Sequence, residues 1–250
     1  MLKQERHAYI LHQVNLHNKV LSSTLSDEIN VSEDTIRRDL QELADIGKLI
    51  KVHGGAISHS FYGNSFVSQP NVYSLANKIT IAKKAVSVIK DGMFVLTGGG
   101  TTIIEMARLL PASLKATFIT TSIQAALEYT NHPNIEVIIA GDKISKSSKI
   151  TVGVESIERL KKIKADLCIM GVNAIDVQYG VSDNDWDVVQ TKKAMIESSQ
   201  KVVCLTIAEK INTIQPIHVC GINKINMLVT EFPANDPKLS EYVNAGVEIM

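Results

Sequence analysis

From Val52 to Asn77 the chain carries no Asp, Glu, Lys or Arg. In a sequence of 250 residues with 21% charged residues, so long a gap is either a membrane segment or a junction. Gly, Ser, Asn, Gln and Pro fill it, which excludes the first. It reads as a turn and then a linker, bounded by Gly54-Gly55 and Pro70. Phe61, Tyr62, Phe66 and Tyr73 suggest that this linker lies against a neighbouring domain. The expected organisation is therefore a small domain at 1–57, a linker at 58–76 and a larger domain at 77–250. Elsewhere, no apolar run approaches the ~20 residues that span a bilayer, so no membrane partner is expected. The start, MLKQERHAYIL, has mixed charges and no apolar core, so no signal peptide is expected. Cys168, Cys204 and Cys220 lack CxxC spacing and fit small core residues in a reducing compartment, so the expected location is cytoplasmic. Lys plus Arg and Asp plus Glu number 26 each, so net charge points to no particular partner.

Before the junction the periodicity is helical. Residues 3–16 carry Ile10, Leu11 and Val14 at helical spacing, and a short helix over 22–29 turns Leu25 and Ile29 inward. Asn30-Val31 is a tight turn. Ser32 caps a third helix with Glu33 and Asp34 in its first turn, where the helix dipole favours acids. Ile36, Leu40 and Leu43 form its buried stripe, and Gly47 ends it. Lys48–Val52 alternates like a strand and His53-Gly54-Gly55 turns it back. Three helices and a β-hairpin make a winged helix-turn-helix.

With that stripe inward, about 100° per residue puts Asp34, Arg38, Gln41 and Asp45 on the opposite face, with Thr35, Arg37 and Glu42 on the flanks. Such a face suits the major groove, where Arg pairs with guanine and Gln with adenine. The alternative is a solvated face with an Asp34–Arg38 pair. The wing adds Lys48, Lys51 and His53 within reach of the backbone. The run VSEDTIRRDLQELADIGKLIKVHGGA, Val31–Ala56, closely resembles the N-terminal domain of DeoR-type transcription regulators. That resemblance implies double-stranded operator DNA as partner, with contacts from Ser32, Thr35, Arg37, Arg38, Lys51 and His53. Residues 1–57 hold seven Lys/Arg against eight Asp/Glu. Non-specific affinity follows cationic phosphate contacts, so one copy should bind weakly. Useful affinity then calls for a homo-oligomer, a dimer or tetramer, assembled through the larger domain.

Beyond the junction the rhythm becomes strand, turn, helix. Apolar runs at 93–97, 116–120, 135–140, 167–171, 201–206 and 226–230 alternate with helical patterns at 78–89, 102–110, 122–129, 154–163 and 189–198. The expectation is an α/β domain, a doubly wound parallel sheet with both faces covered. Ligands of such sheets bind at the carboxyl ends of the strands. Five clusters fall there: Gly98-Gly99-Gly100-Thr101-Thr102, Thr120-Thr121-Ser122, Gly141-Asp142, Gly171-Val172-Asn173 and Glu209-Lys210. A glycine loop with two threonines opening a helix offers N–H groups and hydroxyls to an anion such as phosphate. The bland alternative is a tight turn.

Here the resemblance continues. Lys78…Ala82, the GTT at 100–102, TTS, GVNAID (171–176), TKKAMI (191–196) and Lys210 look like the effector domain of the same family. It implies a fold similar to ribose-5-phosphate isomerase and a phosphorylated sugar or related anionic metabolite as effector. The expected effector residues are Gly98, Gly99, Gly100, Thr101, Thr102, Thr120, Thr121, Ser122, Gly141, Asn173, Lys192 and Lys210. Three positions depart from the family pattern: Gly98 stands for an Asp, Val188 for a Glu and Ile207 for an Asp. Groups that would grip sugar hydroxyls are thinned, while the anion-binding loops remain with Lys192, Lys193 and Lys210. At least one of Lys192 and Lys193 is expected to be a solvated residue at the start of its helix.

The leading reading is a ligand-responsive transcription regulator, a repressor of a sugar or carbohydrate operon. One alternative is a regulator whose second domain only oligomerises. Another is a sugar-phosphate isomerase-like enzyme, which would need a carboxylate placed to move a proton beside a carbonyl. Gly98, Val188 and Ile207 provide none, leaving Asp142, Asp176 and Asp187. Seven histidines without H-x-E or HExxH spacing, and no Cys/His cluster, argue against a metal; no cofactor is expected.

Overall fold

A computed structural model describes residues 1–58, 72–141, 143–146 and 148–250. The expected packing of Phe61, Tyr62 and Phe66, most of the 58–76 linker, and Asp142 lie outside the described residues. The chain divides into two compact units, Met1–Tyr73 and Ser74–Met250. No described helix is long and apolar enough to cross a membrane.

In the first unit, α1 (Lys3–His17), α2 (Ser22–Ile29) and α3 (Glu33–Asp45) surround a core of Ile10, Val14, Leu25, Ile36, Leu40, Leu43 and Leu49. Ser32 accepts the Thr35 N–H and caps α3, as expected. The helix ends at Asp45 and Gly47 takes the left-handed turn at φ +70°. The wing is larger than a hairpin. Strands β1 (Lys19–Leu21), β2 (Ile50–Val52) and β3 (Gly55–Ile57) form an antiparallel sheet in the order β1-β3-β2. Gly54 makes the turn at φ +76°, and a side chain on Gly55 would lie 1.9 Å from the Val20 carbonyl oxygen. The two glycines thus have different tasks, a turn and a close backbone passage.

The second unit is built on seven parallel strands, β4 (Phe94–Thr97), β5 (Ala116–Thr120), β6 (Ile135–Ile139), β9 (Ala165–Gly171), β12 (Ser199–Leu205), β14 (Met227–Val229) and β15 (Glu248–Ile249). Their order is β15-β14-β12-β9-β4-β5-β6. Chain order runs outward one way from β4 and then the other way from β9, so the topological switch lies between those two strands. The connecting helices are α4 (Leu75–Val86), α5 (Thr101–Arg108), α6 (Ile123–Tyr129), α7 (Val154–Lys161), α8 (Trp186–Glu197) and α9 (Ser240–Asn244). Besides α9 and β15, two features of this unit have no counterpart in the sequence reading. A hairpin, β7 (Lys143–Ile144) and β8 (Thr151–Val152), follows β6. An antiparallel sheet joins β10 (Ala174–Asp176), β11 (Gly180–Asp183) and β13 (Ile217–Cys220). All three cysteines are buried and free.

Candidate nucleic-acid interface and effector site

The helix α3 buries Ile36, Leu40 and Leu43 and exposes Arg37, Arg38 and Gln41. The expected Asp34–Arg38 pair does not form. Arg37 instead binds Glu33 at 2.9 Å and Asp34 at 3.3 Å, leaving Arg38 without a hydrogen bond or ion pair among the described residues. Ser32 and Thr35 hydroxyls lie 2.9 Å apart at the start of the helix. Lys51 on β2 donates to Gln41 at 2.9 Å, and Gln41 donates to Asp45 at 2.7 Å. The wing is therefore tied to the exposed face of α3, and His53 is exposed at its turn. One buried residue of α3 was not anticipated. Asp39 is 2% exposed and receives both Arg6 and His7 from α1. Its place at i+3 from Ile36 and i−4 from Leu43, within the apolar stripe, was the available signal.

At the carboxyl edge of the large sheet, the 98–102 loop and the 171–173 segment flank the switch. They touch: a side chain on Gly171 would stand 3.5 Å from the Gly99 carbonyl oxygen. Gly100 is the N-cap of α5 at φ +112° and supplies no side-chain cap, so the first amides of the helix stay open to a ligand. Thr101 and Thr102 follow it and are buried. On the next strand, Thr120 donates to the Thr97 carbonyl at 3.0 Å and accepts the Ser122 N–H, while Ser122 caps α6. Thr121 differs: its buried hydroxyl has no hydrogen-bond partner among the described residues. Gly141 lies under Thr151, whose Cβ would come within 2.3 Å of an added side chain, so its requirement is close passage.

Lysines converge on this edge. Lys192, expected at the start of its helix, lies in the middle of α8 and binds Asp183 at 2.8 Å with both side chains buried. Lys193 beside it is half-buried. Asn173 reaches the same carboxylate at 3.5 Å. Burial pushes Asp183 up, but the Lys192 charge and hydrogen bond prevail and hold it below its ordinary value. Lys210 lies in the turn Ala208–Lys210 after β12, close enough to Lys78, Lys192 and Asp183 to feel their charges. Burial and then the two lysines push it down to about 7. Lys78, on the first turn of α4, is only 7% exposed, and its ammonium has no hydrogen bond or ion pair among the described residues. Burial pushes it down to about 8, against the raising charges of Glu105 and Glu209. Ile207, buried, and Val188, half-buried, add no charge here, and a side chain on Gly98 would face Met170 and Met195.

Residues 74–231 match the model of the DeoR C-terminal sensor domain, and residues 6–61 that of the DeoR-like helix-turn-helix domain. The chain belongs to the DeoR family of transcription regulators. It is similar to the HTH-type transcriptional regulator GlpR of Haloferax volcanii, 30% identical over 100% of this chain and 98% of the relative. The glycerol-3-phosphate regulon repressor of Haemophilus influenzae is 28% identical over 92% of this chain and 90% of its own. Among solved structures, ribose-5-phosphate isomerase A of Methanocaldococcus jannaschii matches with a TM-score of 0.40 and 19% identity, over 54% of this chain and 53% of its own. As a DeoR-family regulator the chain thus carries a DNA-binding domain and a sensor domain. The buried state of Lys78 was the sensor feature that sequence reasoning missed. Lysine's long apolar stem lets it occupy a buried helix position without breaking the helical pattern.

Proposed function

We propose that this regulator represses a carbohydrate operon and is controlled by a phosphorylated small molecule at the carboxyl edge of its sensor domain. It acts from the cytoplasm as a homo-oligomer and performs no catalysis. The observation that carries this reading is Lys78, a buried ammonium with no ion pair among the described residues, only the more distant charges of Glu105 and Glu209. Burying an unpaired charge is costly, so a site that keeps one gains most when an anion arrives. Lys78 and Lys210 supply the positive charge available to a ligand, since Lys192 is already paired with Asp183. A phosphate monoester dianion matches that charge and accepts from the open amides at Gly100–Thr102. The Thr121 hydroxyl supplies a further donor at the same edge. The names of relatives support the class of effector, one being a repressor of a glycerol-3-phosphate regulon.

The test is a titration of phosphorylated and unphosphorylated three- to six-carbon polyols and sugars, followed by the fluorescence of Trp186, the single tryptophan. Trp186 opens α8, the helix that also carries Lys192. Saturable binding by phosphorylated members alone is expected, and Lys78→Met should weaken it by at least tenfold, worth about 1.4 kcal/mol. Equal response to the unphosphorylated members, or unchanged affinity in the folded variant, would remove the phosphate from this edge.

A further inference from the structure

We propose that the part-buried Arg6–Asp39–His7 cluster, centred on the buried Asp39 carboxylate, is a positioning device for α3: it sets the rotation of this helix about its axis and thereby the sequence discrimination of the regulator. The inference rests on the reading of α3 as the DNA-recognition helix and goes beyond the effector site. Lys3, Arg6 and His7 lie on one face of α1, and Asp39 and Glu42 on one face of α3. Arg6 uses Nε and Nη2 on the two Asp39 oxygens, the second bond being 3.0 Å. His7 Nε2 lies 3.0 Å from Asp39 and 3.7 Å from Glu42, and Lys3 reaches Glu42 at 2.6 Å. Asp39 is bound by two groups of the partner helix although its side chain is only 3% exposed.

Two physical points assign this cluster to positioning. First, the other side chains of α3 packed on the domain core are apolar, Ile36, Leu40, Leu43 and Ala44. Apolar burial is non-directional and tolerates small rotations of a helix. A guanidinium fork on a carboxylate has fixed planar geometry and does not. Arg38 is the preceding residue in the chain, about 100° around the axis, so a rotation at Asp39 moves Arg38 across a base pair. Second, a buried ion pair contributes little net stability, because desolvation offsets the attraction. A small domain that keeps one gains orientation more than stability.

The test uses the full chain, two disrupting variants and one conservative variant. Arg6→Lys keeps the charge and removes the fork. The double variant Arg6→Met, Asp39→Leu removes the pair and fills its volume with apolar atoms. Each protein selects from a pool of random-sequence duplexes, and binding is then compared on the duplex enriched by the wild type and on a scrambled duplex. Both variants should melt cooperatively and bind the scrambled duplex within twofold of wild type. Their preference for the enriched duplex should fall by about tenfold. Asp39→Glu, which retains a carboxylate, should recover part of that preference when paired with Arg6 intact. Folded variants that discriminate as well as the wild type overturn the positioning role and leave the reading of α3 standing. A wild type that enriches no motif overturns both. Should the double variant fail to fold, Arg6→Lys decides alone, because it leaves no buried charge unpaired.

Discussion

Arg37 and Arg38 carry the same guanidinium, but Arg37 is held by Glu33 and Asp34 whereas Arg38 has no partner among the described residues. A free cation on a recognition helix costs nothing to redirect toward a base edge. Arg38→Ala should therefore lower operator affinity by about 1–3 kcal/mol per half-site, with folding unchanged. Gel-shift affinity within twofold of wild type would show that another face of α3 meets the groove. Residue-scale chemistry also sets a pH dependence for the sensor. With Lys210 near 7 and Lys78 near 8, both lysines are partly neutral in the free protein above neutrality. A bound dianion favours their ammonium forms, so binding takes up protons and affinity falls as pH rises through 7 to 8. A phosphate monoester gains its second charge near pH ~6, which sets the lower limb. The sign for folding is opposite. Where the folded lysines bind fewer protons than the unfolded chain, between about 7 and the ordinary lysine value, stability of the free protein rises with pH. Calorimetry of effector binding in buffers of different ionisation heat checks the uptake; affinity flat from pH 6.5 to 8.5 would discount both lysines as ligands.

At the scale of elements, long apolar runs were legible and short pairings were not. Strands such as Ala116–Thr120 and the capped helix Glu33–Asp45 declare themselves through local pattern, an apolar run between turns or a stripe at helical spacing. Strand β1 has three residues and exists because Val20 pairs with Ala56, a contact no local window contains. The β10-β11-β13 sheet likewise depends on Val181 meeting Cys220 from a distant segment. The candidate site divides in the same way. Its glycine loop and threonines are visible as a cluster after a strand. Sequence could not show that Thr120 and Ser122 spend their hydroxyls on the fold while Thr121 keeps its own. Nor could it show that Lys192 is neutralised by Asp183 while Lys78 is not. Both distinctions arise from packing between elements far apart in the chain.

For the whole molecule the decisive quantity is the charge of the DNA-binding segment, seven Lys/Arg against eight Asp/Glu in residues 1–57. Phosphate contacts dominate protein–DNA affinity, and a segment with no net positive charge gains little from them. Joining two reading helices turns the second contact into an intramolecular one and raises affinity by roughly 10²–10⁴-fold. For the proposed homo-oligomer, the edge of the sensor sheet is the surface to test. Strand β6 is the edge of the seven-stranded sheet, and its consecutive Ile138 and Ile139 are each 41% exposed. Consecutive strand residues point to opposite faces, so this edge is bare on both sides, close to exposed Ile144 just beyond it in the chain. An unprotected apolar edge is a template for pairing with another strand, and a lysine placed there blocks it. The double variant Ile138→Lys, Ile139→Lys should sediment as a smaller species than the wild type and lose on the order of 10²-fold in operator affinity. Its effector affinity, read by Trp186 fluorescence, should stay unchanged, because the binding edge is formed by other residues. Sedimentation and gel shift on the same preparations check all three. A wild type that sediments as a monomer yet binds its operator tightly would mean that one recognition helix suffices, and the edge of β6 would then need another explanation.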